Sequence, residues 1–479
     1  IDASNDAIAT AIKDHIGNVE YTHNLEKDYD GIVVAEIVEK EDHPDADKLG
    51  VYKINVGQEE RIQIVAGDKS LQIGDKVAYI PPEHIVPISI YTEEEPFKIK
   101  SVKLRGVISN GMLCSERELN IGVNHDHVMR LPLDAPVGMS FAKYYNLDDF
   151  IIDIENKALT NRGDLFGIVG IARELSAVMH RKFESPKWYR NKKITISPDK
   201  SCLNLNIVND AEALCPRYVA IAMDNVEVKE SPIWLKSELI RLDIKPINNI
   251  IDITNYISAI FGQPLHAFDF DKVAKEDPSR SDKVQINVRM GREGEGILGL
   301  DNKVHVLNDR VIVIADSMHP IAIAGVVGGK ESSVDKDTKR IIFESAMFDK
   351  NSVRRTSMAL GIYTDSSTKF KHSLDAENCL PAILKAVELT KEIANGSVAS
   401  EVVDIYATPT QERLVTVDIL RLNTHIGINL EKDDVKKILE SLEYEIDSSK
   451  GQFLTVKVPT WRKDVTIPED IHEDIARIY

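Results

Sequence analysis

The spacing of apolar and polar positions changes several times along this chain. Residues 1–30 carry one short amphipathic run, which predicts a helix over 6–15. From Gly31 the pattern shortens to near-alternation. Runs at 32–38, 51–56, 61–65 and 76–79, parted by Gly and Asp turns, predict the short strands of a small barrel. Leu165, Ile168, Ile171, Ala172 and Leu175 recur at helical spacing and predict an amphipathic packing helix. Residues 183–201, with two prolines and the basic Lys187, Arg190, Lys192 and Lys193, read as a linker or exposed edge. Over 204–396, strand-like runs (203–208, 218–223, 284–288, 311–315, 341–343) alternate with helical ones (233–241, 250–261, 381–394). The stretch 414–479 reads strand, helix over 430–442, strand and a last helix. The fold class expected is multidomain α+β.

Length and composition narrow the class. A chain of 479 residues is too long for one core, so three or four domains are expected. No apolar run approaches the roughly 18 residues needed to cross a membrane, and no basic-then-apolar leader opens the sequence. Cys114, Cys202, Cys215 and Cys379 lie far apart, without a CxxC pair, so neither a zinc signature nor a disulfide framework is present. The cytoplasm is the expected compartment. A net charge of −18 argues against general adhesion to nucleic acid, so any RNA contact must rest on local basic patches.

Candidate chemistry concentrates in 252–271. Thr254, Asn255, Gln263, His266 and Asp269 are spaced through aliphatic and aromatic residues, the composition of one wall of an apolar pocket. A lone His beside Pro264 and Leu265 is more often a satisfied structural group than a catalyst. Two later segments favour function. AIAGVVGG at 322–329 sets three glycines in eight residues, where backbone must approach something closely or take positive φ. IIFESAMF at 341–348 places Glu344 inside an apolar strand-like run, where a carboxylate is costly unless it is paired or has a ligand. The glycine segment is no phosphate loop, because Ala324 and the Lys330-Glu331 pair break that pattern.

Two charged clusters carry alternatives. Lys98, Lys100, Lys103 and Arg105 fall at near-alternate positions, which on one strand would put several on a face suited to a phosphate backbone, or to an edge strand guarded by lysines. Asp464, Asp470, Glu473 and Asp474 surround the start of the last helix, where TIPED at 466–470 reads as a capping box opened by Thr466. They suit either the positive end of a helix or a hard divalent cation. HPDADKL at 43–49 reads as a loop of Asx turns, with metal binding the weaker alternative.

Six motifs in register, CPRYVA (215–220), NNIIDITNY (248–256), GQPLHAFDFD (262–271), AIAGVVGG, FESAMF and YTDSS (363–367), resemble the beta subunit of bacterial phenylalanine-tRNA ligase. The resemblance extends along essentially the whole chain. It implies a first small domain at 1–30 and 145–200, interrupted by a tRNA-binding oligonucleotide-binding fold at 31–144. An α/β editing domain at 201–400 and a winged-helix-like domain at 410–479 follow. It also implies that the alpha subunit performs ATP-dependent charging in an assembly of two alpha and two beta chains. The beta chain hydrolyses mischarged tyrosyl-tRNA(Phe) at a pocket holding Asn255, His266, Gly325, Glu344, Thr364 and Ser366, with Thr254 on the same wall. Of these, Glu344 would read the phenol, and His266 and Asn255 would position water. The basic residues 98–105 would touch tRNA, and Asp464, Asp470, Glu473 and Asp474 would hold Mg2+. Catalytic-like and anticodon-binding domains are expected beyond Tyr479.

This sequence departs from the family pattern in two places. Ala66 and Asp68 replace the usual residues of the oligonucleotide-binding fold, and 369–375 reads KFKHSLD in place of the usual RFERGVD. The second departure leaves open a non-catalytic tRNA-binding or assembly module with a decayed pocket.

Overall fold

Alternate residues of the strand Gly50–Asn55 are buried, as a strand with one solvated face requires, and its neighbours obey the same rule. The computed structural model describes residues 3–87, 97–122, 124–190, 196–199, 203–275 and 282–479. Lys192, Lys193 and Cys202, named above, lie outside the described residues. Two compact units emerge, one of residues 21–153 and 231–247, the other of 1–20, 154–230 and 248–479.

In the first unit, the strands Ile62–Ala66, Gly50–Asn55, Val33–Asp42, Lys76–Ile80 and Met112–Leu113 pair in that order, all antiparallel. All four strands expected before residue 80 are present, and the first runs on to Asp42 through an irregularity between Ile37 and Glu39. The helix Ile233–Ile240, read from sequence among the elements of the large α/β stretch, belongs here instead. Ile240 packs with Tyr29 and Phe141, and Lys236 pairs with Glu116 at 3.3 Å.

The second unit is built on two sheets that share one apolar core. One sheet runs Asn204–Asn209, Lys283–Met290, Ile312–Ala315, Pro320–Ile323, Val327–Gly328. The other runs His266–Asp269, Ile341–Met347, Arg217–Asp224, Ser397–Val398, with Val403–Tyr406 also on Arg217–Asp224. The helices Asn249–Phe261 and Cys379–Ala394 pack on each other, and the latter also packs on the second sheet.

The first of these helices has clear local causes. Asn248 accepts hydrogen bonds from the Ile250 and Ile251 amides (3.1 and 3.0 Å), and Ile250, Ile253, Ile257 and Phe261 form one buried stripe. Gly262, at φ +74°, ends it in the left-handed conformation.

Residues 413–479 form a three-stranded antiparallel sheet (Arg413–Asp418, Phe453–Val458, Glu445–Lys450) with the helices Ile419–Ile426, Lys432–Ser441 and Pro468–Ile478. Of these, Ile419–Ile426 was not expected from sequence. It is capped by Asp418 and closed by Gly427 at φ +79°. The last helix starts one residue later than the sequence predicts. Its cap is Ile467, and the Asp470 carboxylate, not Glu469, accepts from the Thr466 and Ile467 amides at 2.7 and 2.9 Å.

Candidate functional site

The strand Ile341–Met347 lies between two antiparallel neighbours, and the register sets His266 opposite Glu344 on one side and Ala220 opposite it on the other. Directly opposed residues share a sheet face, so His266, Glu344 and Ala220 point together. His266 and Glu344 line a cavity of about 330 Å³ between the two sheets. Ile314, Ala322 and Ile323 supply its apolar wall, and Phe348, Ile362 and Phe370 its far side.

Glu344 is only 5% exposed, and its Oε2 has no hydrogen-bond partner. Burial pushes its carboxyl up to about 8, so it is a neutral acid at pH 7. The buried Tyr218 hydroxyl is near enough to bear on Glu344 but not in hydrogen-bond geometry. His266 stands edge-on to Phe268 with ring centroids 4.4 Å apart, and its buried Nε2 also lacks a partner. Burial pushes the imidazole down to about 4, so it is neutral too. Two unsatisfied polar groups at the wall of an apolar cavity make a site awaiting a polar ligand.

The loop into His266 is fixed by Gln263, whose buried Nε2 donates to the Ala346 carbonyl at 2.9 Å. Gly325, at φ +68°, faces the cavity, and a Cβ there would come within 2.9 Å of Phe370 Cδ2. Gly328 packs on the His266 ring, where a Cβ would approach Cε1 to 2.5 Å. Thr364 caps the helix Asp365–Phe370 by accepting from the Ser367 amide (3.1 Å) and donates to the Val326 carbonyl (2.8 Å). That cap brings Thr364 and Ser366 to the cavity wall.

His266, Gly325, Glu344, Thr364 and Ser366 are thus brought together. Thr254 and Asn255 are not. Thr254 spends its hydroxyl on the Ile251 carbonyl one helical turn back (2.7 Å), and Asn255 is half-buried on the helix, outside the cavity lining. Sequence reasoning missed Gly328, Leu300, Asp301, Phe348 and Phe370. Gly328 belonged to a segment already singled out, whereas Leu300 and Asp301 arrive on a hairpin with no marked pattern.

The departure at 369–375 is absorbed by packing. Lys369 is buried and donates to the Ser258 carbonyl and hydroxyl (3.1 and 2.8 Å) while pairing with Asp365 at 2.8 Å. His372 stacks on Phe166, centroids 4.3 Å apart. The cavity wall is therefore held.

The acids of the last helix are not a ligand set. Arg462, itself buried, binds both Asp464 (2.7 Å) and Asp474 (3.0 Å), and the Tyr444 hydroxyl donates to Asp474 at 2.7 Å. Asp470 caps the helix and Glu473 faces solvent. Among the described residues no three His, Cys, Asp or Glu side chains converge to hold a metal. These donors do not fit a divalent cation, because arginine has already neutralised two of them.

The basic cluster is likewise spread out. Only Lys103 lies on the strand Ser101–Leu104; Arg105 is in the hairpin turn at φ +44°, and Lys98 pairs with Glu83 at 2.6 Å. All four side chains are exposed, but not as one strand face. Among the described residues no helix is long and apolar enough to cross a membrane.

Three family models match the chain: a tRNA binding domain over 32–140, the B3/4 domain over 214–395, which holds the cavity, and the tRNA synthetase B5 domain over 415–479. They place the chain among tRNA-synthetase proteins of several α/β domains. Relatives are similar along its whole length. Phenylalanine–tRNA ligase beta subunits from Fusobacterium nucleatum (38% identity, 100% of this chain, 57% of the relative), Clostridium tetani (38%, 94%, 54%) and Porphyromonas gingivalis (37%, 98%, 56%) are three of them. The chain belongs to the phenylalanine–tRNA ligase beta-subunit family, and it spans about half the length of the curated relatives it matches.

Proposed function

We propose that the cavity hydrolyses tyrosyl-tRNA(Phe), and that the chain serves beside an alpha subunit that charges tRNA(Phe) with phenylalanine and ATP. The observation that carries this is the direct apposition of Glu344, which is buried, and His266, which is half-buried with a buried Nε2, both neutral and unsatisfied, in an apolar cavity. A site selecting phenylalanine rejects an added hydroxyl by only about a hundredfold, so a second site that requires the hydroxyl is physically motivated. Glu344 meets that need. A tyrosyl phenol satisfies its carboxyl, whereas a phenylalanyl ring leaves it unpaired, at a cost of about 1–3 kcal/mol. An imidazole titrating near 4 is a weak base at pH 7, so His266 is suited to orienting the attacking water through Nε2. Thr364 and Ser366 line the site where the ester would lie.

We read residues 31–144 as an oligonucleotide-binding fold whose exposed Lys100, Lys103 and Arg105 meet tRNA phosphates, and 410–479 as a winged-helix-like unit. The expected assembly is two alpha and two beta chains in the cytoplasm, with ATP and its magnesium at the alpha subunit. The intact cavity and the buried Lys369 weigh against a decayed pocket.

The test is hydrolysis of tyrosyl-tRNA(Phe) and phenylalanyl-tRNA(Phe) by the chain assembled with its alpha subunit. Tyrosyl ester is expected to be cleaved selectively, with selectivity lost in Glu344→Ala and rate lost in His266→Ala. Equal cleavage of both esters, unchanged in Glu344→Ala, would overturn the proposal.

A further inference from the structure

An aminoacyl ester brings a third polar group to the site, its α-ammonium, and neither Glu344 nor His266 can balance that charge while both are neutral. The cavity has one more carboxyl group. Asp301 lies at the tip of the hairpin formed by Gly296–Leu298 and Val304–Val306, and it lines the cavity beside Leu300. The tip is tied down on its inner side. The Leu300 amide donates to the Gly328 carbonyl at 3.0 Å, and Leu300 and His266 both flank Gly328. Asp301 therefore stands at the His266 end of the cavity, with 30% of its side chain exposed, while Glu344 is deep.

The Asp301 carboxylate is oriented by the buried His305, whose Nε2 lies 3.1 and 3.0 Å from its two oxygens, and by the Lys303 amide at 3.3 Å. These bonds hold the group in its charged form, and its acidity is raised accordingly. A carboxylate offers about four lone-pair sites, so it keeps acceptor capacity for a ligand.

We propose that Asp301 binds the α-ammonium of the aminoacyl group, with His305 as its positioning residue. This rests on the reading of the cavity as an ester-hydrolysing site. The side chain enters first, the phenol reaches Glu344, and the ammonium stops at the rim on Asp301. The ester carbonyl is then held between the two anchors, beside His266. The cavity becomes selective for α-amino acyl groups over acyl groups that lack the amine.

The experiment compares tyrosyl-tRNA with its des-amino analogue, 3-(4-hydroxyphenyl)propionyl-tRNA, in the assembled enzyme and in its Asp301→Asn variant. Loss of a charge-assisted contact is expected to raise KM for the tyrosyl ester about ten- to a hundredfold, with the des-amino ester unaffected. Equal effects on both esters would show a structural role and overturn the inference. A second measurement needs no variant. Tyramine is expected to inhibit the wild-type enzyme at least roughly tenfold better than 4-ethylphenol, because only tyramine carries the ammonium. Equal inhibition overturns the inference. Should the wild-type enzyme fail to prefer tyrosyl over phenylalanyl ester, the reading of the cavity itself is what fails.

Discussion

His266 and Glu344 sit opposite each other on adjacent antiparallel strands, and the same burial makes one a weaker base and the other a weaker acid. Their contributions to stability run in opposite directions with pH. Glu344, raised from 4.5 to about 8, contributes stability that is full below pH 4.5 and is lost as pH rises through about 8. His266, lowered from 6.5 to about 4, contributes stability present above pH 6.5 and lost as pH falls through about 4. Between about pH 4.5 and 6.5 the two slopes oppose each other. From pH 6.5 to 8 only the Glu344 loss remains, at up to about 1.4 kcal/mol per pH unit. Urea unfolding across that window is expected to show the decline in wild type and a flatter profile in Glu344→Gln.

Lys369 supports the helix that carries Thr364 and Ser366. Lys369→Ala leaves the Ser258 carbonyl and hydroxyl without their buried donor and is expected to cost about 2–3 kcal/mol in unfolding free energy. Lys369→Arg keeps a donor and the charge, so a loss below about 1 kcal/mol is expected.

The acids near the C-terminal helix give a sharp contrast. Asp474→Asn unbalances a buried ion pair with Arg462 and is expected to cost about 3 kcal/mol, whereas Glu473→Gln on the exposed face should stay within about 0.5 kcal/mol. Magnesium added to the chain should leave Tm unchanged in both. A magnesium-dependent Tm that Glu473→Gln abolishes would restore the metal reading.

Ser373 occupies φ +62°, where a side chain is strained and glycine is not. Ser373→Gly is expected to stabilise by about 0.5 kcal/mol, the relief of strain being partly offset by the greater freedom of glycine in the unfolded chain. Thermal unfolding would register this as a small rise in Tm.

How much of this was legible depends on the range of the interaction that decides it. Short-range signals served well. Alternation located the strands before residue 80, and the apolar run at 250–261 located the helix Asn249–Phe261. The costly placement of Glu344 in an apolar run is visible in the sequence because burial of a carboxyl is a local oddity. Its partner across the strands is not, since register depends on long-range pairing.

The same limit explains the misplacements. Thr254 and Asn255 neighbour His266 in sequence, but the helix turns them away and Thr254 satisfies itself within its own turn. The four acids at 464–474 suggest a cation until Arg462, two residues from the first, folds among them. The basic residues 98–105 alternate in sequence, but a turn at Arg105 breaks the face. Asp301 has no local signature, and only the fold of its hairpin brings it to the cavity.

The strand bearing Glu344 is hydrogen-bonded along both edges, and this restricts how the protein can change over time. A slip of one residue would bring Phe343 or Ser345 to the cavity in place of the carboxyl, so the deep end of the pocket tolerates little drift. The hairpin at 296–306 is restrained on one side only, because Leu300 is tied to Gly328 while Val304 and Val306 are largely exposed. Substitutions would be expected to collect first at exposed positions of that hairpin such as Val304 and Val306, leaving the depth of the pocket constant.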